Sequence, residues 1–385
     1  MQAAPAIYID SREDLAEFCR SLRGSHWIAV DTEFVRDKTY FPRFCLLQVA
    51  NLKQAACIDP FAVDDLDPVM ELLFTPEVTK VFHAARQDLE VFFHRFGAIP
   101  SPIFDTQIAA PLIGLPEQVS YANLISALLG IPLNKDHTRT DWARRPLSPA
   151  QIAYAANDVI YLAAAYHEIR ERLDALGRTD WLAADFAALL DPALYTTAPE
   201  AAWQRISGAH RLQPEQFALL VELAAWRETA AQRDDLPRHW IVRDEGLLDL
   251  ARHRPASAEA LRSLRGIEPK TLNRYGSALL EVIQRAQGRK ITPPCSPRPE
   301  HRTPETDALI DALSAVVRLR CNEHTINPGI VATRKDLEDA LANLEDARIL
   351  HGWRRSLVGN DILDLLQGKK RLRVAGGTLR IEAHE

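Results

Sequence analysis

Two carboxylates one residue apart, Asp31 and Glu33, close the short apolar run Trp27-Ile-Ala-Val30. A run of this kind reads as a buried strand. Strand side chains alternate between faces, so both acids project from the same side. Two negative charges that close repel, and burial disfavours the charged form of each, unless a cation neutralises them. Hard divalent ions with oxygen ligands meet that need. An Asp-x-Glu after an apolar run is by itself more often a solvated strand exit than a site, so the acids downstream decide.

The third acid is Asp88. Leu89, Phe92, Phe93 and Phe96 recur at helical spacing, Gly97 is a natural stop, and Asp88 lies one turn before Phe92 at the border of the apolar stripe. Taken alone it reads as a helix-start acid favoured by the macrodipole. The fourth acid stands on the most legible helix start in the chain, where Ser148 is a suitable N-cap, Pro149 fits the first helical position and Gln151 completes a capping box. In that register Tyr154 and Asp158 are four apart and share a face. Tyr161, Leu162 and Ala165 continue the same stripe inward. An inward Asp needs a partner, and a Tyr–Asp hydrogen bond within the core is the plain alternative to a site.

The elements that must carry these residues alternate between strand and helix, as in an α/β domain. Phe44–Ala50 and Ala56–Asp59 read as the arms of a hairpin beside the first strand, 64–75 as a helix and 80–83 as a further strand. Residues 190–202 read as a connection, and 203–287 are helical throughout. The stretch 292–304 holds five prolines in thirteen residues and reads as a stiff linker. A mostly helical unit follows from about 305 and ends in a small hairpin around Gly376-Gly377. Arg227 precedes Pro237 by ten residues and Arg318 precedes Pro328 by ten, and an Ile-Val pair follows each proline, Ile241-Val242 and Ile330-Val331, which points to a duplication of the helical unit. The connections look loose enough for these units to behave independently. Truncation after about residue 290 is therefore expected to leave cleavage of a short substrate almost unchanged.

Composition sets the outer bounds. A chain of 385 residues suggests two or three domains. It has no apolar run long enough to span a membrane and no signal-like N-terminus, so a soluble, cytoplasmic protein is expected. Five scattered cysteines without a Cys-x-x-Cys pair argue against a zinc ribbon or a disulfide framework. The net charge of −6 hides an asymmetry: 15 basic against 21 acidic residues in 1–170, but 15 against 11 in 201–290. The basic half is the one suited to phosphates.

With Asp31-x-Glu33 on a strand, Asp88 on a helix after a later strand, and Tyr154-x-x-x-Asp158 on a capped helix, the first 170 or so residues resemble the DEDD exonucleases. The subclass is the one with tyrosine in the third motif, and within it the ribonuclease D family. Phe82-His-Ala-Ala-Arg-Gln-Asp-Leu-Glu90, Phe104-Asp-Thr-Gln107 and Asp141-Trp-Ala-Arg-Arg-Pro-Leu147 share the likeness, and Ala153 stands where the histidine subclass has its histidine. The region after Trp203 resembles the helical nucleic-acid-binding HRDC modules, chiefly at Gly266-Ile267 and Arg274-Tyr275-Gly276.

The resemblance implies an α/β ribonuclease-H-like exonuclease domain with a mixed sheet over 3–172 and an HRDC domain over 203–290. A linker over 291–304 and a diverged second HRDC-like domain over 305–385 complete it. It implies 3′→5′ hydrolysis of RNA to nucleoside 5′-monophosphates, on tRNA precursors and other structured RNAs. Asp31, Glu33, Asp88 and Asp158 would hold two Mg²⁺ or Mn²⁺ ions that clamp the attacking and leaving oxygens, and Tyr154 would orient the water. Phe34, Arg139 and Trp142 are candidate contacts to the nucleic acid. A monomer without nucleotide cofactor is expected, since the lone Gly368-Lys369 lacks the upstream glycine of a P-loop. The rivals are a DNA exonuclease of the same fold and a non-catalytic RNA-binding scaffold. The full acid set weighs against the scaffold, and nothing in the sequence reads a 2′-hydroxyl.

Overall fold

The computed structural model describes residues 6–133, 140–264, 266–294, 303–342 and 347–384. The described chain opens with β1 (Ala6–Ile9) and α1 (Arg12–Ser21), capped by Ser11, whose side chain accepts from the Asp14 amide. There follow β2 (Trp27–Val35), β3 (Arg43–Ala50), β4 (Ala55–Ile58), α2 (Asp67–Phe74), β5 (Thr79–Phe82), α3 (Arg86–Phe96) and β6 (Ile103–Asp105). After these come α4 (Thr106–Ala109), α5 (Tyr121–Leu129), the 27-residue α6 (Pro149–Ala175) and α7 (Ala183–Leu189). The six strands form one sheet in the order β1-β4-β3-β2-β5-β6, with β3 antiparallel to β2 and β4 and the other pairs parallel. It is the mixed sheet that the family resemblance implies, with β1 and β6 added to the strands read from the sequence.

Strand alternation divides the core. Ile28 and Val30 pack with Leu15, Val69, Leu89 and Phe92 of α1, α2 and α3, whereas Ala29 packs with Val159, Leu162 and Ala163 of α6. Asp31 therefore lies on the α6 face and Thr32 on the α3 face. The register slips between Glu33 and Phe34, where Glu33 pairs with Leu46 and Phe34 with Phe44, so Cys45 is the extra residue of a bulge. Bulges of this kind re-aim side chains beside active sites.

The first helical unit contains α8 (Pro214–Asp234), α9 (Arg238–Ile241), α10 (Asp244–His253), α11 (Ala258–Arg262) and α12 (Pro269–Arg285). It docks on the loop after β2. The Asp235 carboxylate accepts from the Tyr40 and Phe41 amides at 3.0 Å each, the Tyr40 hydroxyl donates to Glu228, and the Arg238 guanidinium stacks on the Tyr40 ring at 4.6 Å.

The last unit contains α13 (Pro304–His324), α14 (Pro328–Val331), α15 (Arg334–Leu341), α16 (Gly352–Arg354) and α17 (Asn360–Leu366), then the hairpin β7 (Lys370–Ala375) and β8 (Thr378–Ala383). Its first half repeats the backbone of the preceding unit. α8 and α13 each have 21 residues and end on a left-handed residue, Asp235 (φ 48°) and Thr325 (φ 52°). Each is followed by a four-residue helix and then an extended residue, Val242 (φ −153°, ψ 133°) and Ala332 (φ −154°, ψ 134°).

One expectation is corrected. The unit after the proline-rich stretch is not independent of the nuclease domain: Ile310, Leu313, Val316 and Val317 share one buried apolar cluster with Leu112, Leu124, Val159 and Leu182. Arg178, buried, donates to Leu112 O and His324 O at 2.5 Å each, Asn327 N donates to Pro111 O at 3.0 Å, and Trp181 stacks on Trp353 with ring centroids 4.7 Å apart. Residues 190–202 also do more than connect, because Tyr195 is buried in the nuclease core beside Phe93. The centre of the proline-rich stretch, 295–302, lies outside the described residues.

Candidate active site

Four acids and a tyrosine from three elements border one pocket of about 540 Å³. β2 supplies Asp31 and Glu33, α3 supplies Asp88, and α6 supplies Tyr154 and Asp158. The placement follows from local rules. The α6 register is set by its capping box, in which Gln151 N donates to Ser148 Oγ at 3.2 Å and Ser148 N donates to Gln151 Oε1 at 2.8 Å. Tyr154 and Asp158 are then one turn apart on the side that crosses β2. β5 pairs with β2 only at Trp27, Ile28 and Ala29, so beyond that point the β2 edge is open. There Asp88 accepts from Thr32 N at 3.1 Å and from Thr32 Oγ1 at 2.6 Å. The residue between the two strand acids thus fastens the third acid.

The electrostatics are those of carboxylates crowded in a poorly solvated space. Burial, reinforced by the charges of Asp31, Asp158 and Asp88, pushes Glu33 up to about 9. Burial lifts Asp158 to about 7. Asp31 and Asp88 are raised well above the usual range, first by burial and then by Asp158 and by Asp31 respectively. Tyr154 rises to about 12 through burial and the charges of Asp158, Glu33 and Asp31, so its phenol stays protonated. Among the described residues no lysine or arginine lines the pocket, so no side chain there offsets the acids.

Among the described residues no three acid, imidazole or thiol groups close on a common point tightly enough to enclose an ion as they stand. The donor set nevertheless fits a hard divalent cation: all four groups are carboxylates, they face one pocket, and burial together with the neighbouring negative charges raises Glu33 among them.

The weaker expected contacts fare differently. Phe34 borders the pocket, half-buried. Trp142 also borders it but is only 4% exposed, and its ring lies 6.4 Å from that of Tyr154. It is a wall that backs Tyr154 and packs with Leu147, Ala155 and Ala156, not a free stacking platform. Arg139 lies outside the described residues.

Three further residues here are not singled out by their type and spacing, although His83 and Arg145 fall within stretches that share the family likeness. Tyr121 of α5 lines the pocket, and its hydroxyl donates to the backbone carbonyl of Asp158, pinning the turn that bears the acid. His83 also lines it, with Nδ1 2.9 Å from Thr106 Oγ1, and burial lowers the imidazole to about 4 and keeps it neutral. Behind the Trp142 wall, Arg145 grips the buried Asp59 through Nε and Nη2 at 2.5 and 2.7 Å, and donates to Trp142 O and Cys45 O at 2.8 and 2.7 Å. The four described cysteines are buried free thiols, and among the described residues no helix is long and apolar enough to cross a membrane.

Comparison with known proteins agrees with this picture. A family model described as 3′-5′ exonuclease matches residues 6–174, and an HRDC domain model matches 216–283. The chain is 43% identical to ribonuclease D of Acidiphilium cryptum, over 97% of this chain and 96% of that protein. It is 40% identical to ribonuclease D of Granulibacter bethesdensis, over 97% and 95%. Among solved structures it is similar to Escherichia coli RNase D, an exoribonuclease involved in structured RNA processing, with TM-score 0.77, 32% identity and coverage of 94% of this chain and 98% of that one.

Proposed function

Because this chain belongs to the ribonuclease D family, we propose that its acidic pocket hydrolyses the terminal phosphodiester bond at the 3′ end of RNA and releases nucleoside 5′-monophosphates. The observation that carries the reading is the convergence of Asp31, Glu33, Asp88, Asp158 and Tyr154 from three elements on one pocket that no described cationic side chain lines. Asp31, Glu33, Asp88 and Asp158 would hold two divalent cations in this reading, and such ions would supply counter-charge at the phosphate and lower the pKa of a bound water. Thr32 keeps Asp88 turned toward the pocket, and Tyr121 holds the α6 turn that presents Asp158. Tyr154, protonated at neutral pH, donates a hydrogen bond that orients the attacking water. Phe34 offers an apolar surface to the last base.

The basic unit at 201–290 and the unit after 303, whose backbone repeats it, would serve as HRDC-type modules that retain structured RNA such as tRNA precursors on a monomeric enzyme. The test is digestion of matched RNA and DNA oligonucleotides, labelled at either end, with Mg²⁺ or Mn²⁺. Stepwise shortening from the 3′ end with release of 5′-monophosphates is expected, faster on RNA. Asp31→Asn and Asp158→Asn should each lose at least about 10²-fold in rate while the fold survives. Near-normal turnover in either variant would sink the assignment.

A further inference from the structure

Gln48 is the one polar residue in the buried stretch Phe44–Ala50 of β3, is wholly buried, and has no hydrogen-bond partner among the described residues at either amide atom. A buried amide without partners is costly, and a native fold that keeps one calls for a reason. Its place supplies that reason. In the β2–β3 ladder Gln48 is directly opposite Asp31, and in the β3–β4 ladder it is opposite Cys57. Directly opposite residues point to the same face with Cβ atoms about 5 Å apart. That face is the one covered by α6, since Cys57 Sγ donates to Ile152 O at 3.6 Å. Leu47 and Val49, on either side of Gln48, belong to the opposite apolar cluster, as alternation requires. Burial, and after it the charges of Asp158, Asp31 and Glu33, push the thiol of Cys57 up to about 12, one strand beyond Gln48. The orphaned amide therefore lies in the carboxylates' field and within a side chain's reach of the innermost strand acid.

We infer that Gln48 is a positioning residue for Asp31: its amide N–H donates to the Asp31 carboxylate when that group is ionised on a divalent cation, fixing the carboxylate's orientation. The inference rests on the metal-site reading above and adds the outer partner that orients one ligand. Such partners typically contribute about 10- to 100-fold in metal affinity when they are removed.

The experiment uses the full chain without RNA. Gln48→Met keeps the length of the side chain and removes both amide functions; Gln48→Leu is the second variant. Metal-free melting is measured first, and Mn²⁺ binding is then followed by electron paramagnetic resonance of the free ion. Both variants should melt at or above the temperature of the native chain, because an unpartnered amide has been removed. Mn²⁺ binding should weaken about tenfold or more. RNA cleavage by Gln48→Met should fall at limiting Mn²⁺ and recover at saturating Mn²⁺, which a packing defect would not allow. Unchanged Mn²⁺ binding overturns the proposal while leaving the metal site standing. Lower metal-free melting in both variants also overturns it, since the amide would then be serving the core. If the native chain binds no Mn²⁺, the metal-site reading and this inference fall together.

Discussion

Arg178 sits where the nuclease domain meets the last helical unit, and replacing it tests whether that union is structural. Its guanidinium, on a side chain only 5% exposed, donates to Leu112 O in the nuclease domain and to His324 O at the end of α13, each at 2.5 Å. His324 O belongs to the last turn of its helix, among carbonyls that have no partner within the helix. Arg178→Met keeps much of the volume and leaves both carbonyls without this donor. Two charge-assisted bonds at about 1.5–3 kcal/mol each set the upper bound. Relief of a buried guanidinium, whose pKa burial lowers, offsets part of that loss. A net cost of about 2–3 kcal/mol is expected at the docking surface, which raises the undocked population about 30- to 150-fold. Hydrogen exchange read by mass spectrometry should show it as faster exchange at the Asn327 amide, which donates to Pro111 O across the same boundary, and in the last turns of α13. The central strands β2 and β3 should keep their protection. If the Asn327 region exchanges at the native rate, the bonds of Arg178 do not hold the units together and the reasoning fails.

Truncation after residue 290 follows from the same surface. It should lower stability and reduce cleavage even of a short oligonucleotide, because it uncovers apolar side chains around Leu112, Leu124 and Leu182; full activity on short substrates would restore the independent-unit picture. Tyr154→Phe keeps the ring against Trp142 and removes the hydroxyl, so turnover should fall at least about tenfold with little change in melting; the reverse pattern would make Tyr154 a packing residue. For Asp59, burial alone would raise the pKa, but hydrogen bonds from Arg145 and Tyr8 outweigh it and hold the carboxyl below the usual value. Its stabilisation is therefore present above the ordinary Asp pKa of about 4 and is lost as pH falls through the lower folded value. Asp59→Asn should flatten the acid limb of a stability-versus-pH curve, and an unchanged limb counts against the pair. Lys80, buried and lowered to about 8 by that burial, donates to Thr75 O, Val78 O and Ser101 O at 2.9, 2.6 and 2.6 Å. Lys80→Met should cost about 2–4 kcal/mol in urea unfolding by stranding these carbonyls; a loss under about 0.5 kcal/mol would mean that they find other donors.

What the sequence determined by itself was whatever a period or a cap determines. A period of two put Asp31 and Glu33 on one face, a capping box at Ser148 set the turn that Tyr154 and Asp158 share, and apolar spacing placed Asp88 at a helix start. These are short-range facts, and the resemblance to a nuclease family was legible because its motifs consist of them. Periodicity names a face and leaves the partner unnamed. That Thr32 fastens Asp88 across 56 positions, that Tyr121 pins the Asp158 carbonyl, and that Trp142 is a wall rather than a platform depend on which elements the sheet order brings together. Gln48 was visible as a lone amide in an apolar strand, but only the ladder that sets it opposite Asp31 gives it meaning. The proline-rich stretch read as a separator because composition describes local stiffness. Whether the unit beyond it stands alone depends on apolar faces that meet in space, and Ile310, Leu313 and Val316 bury theirs in the nuclease domain's own cluster.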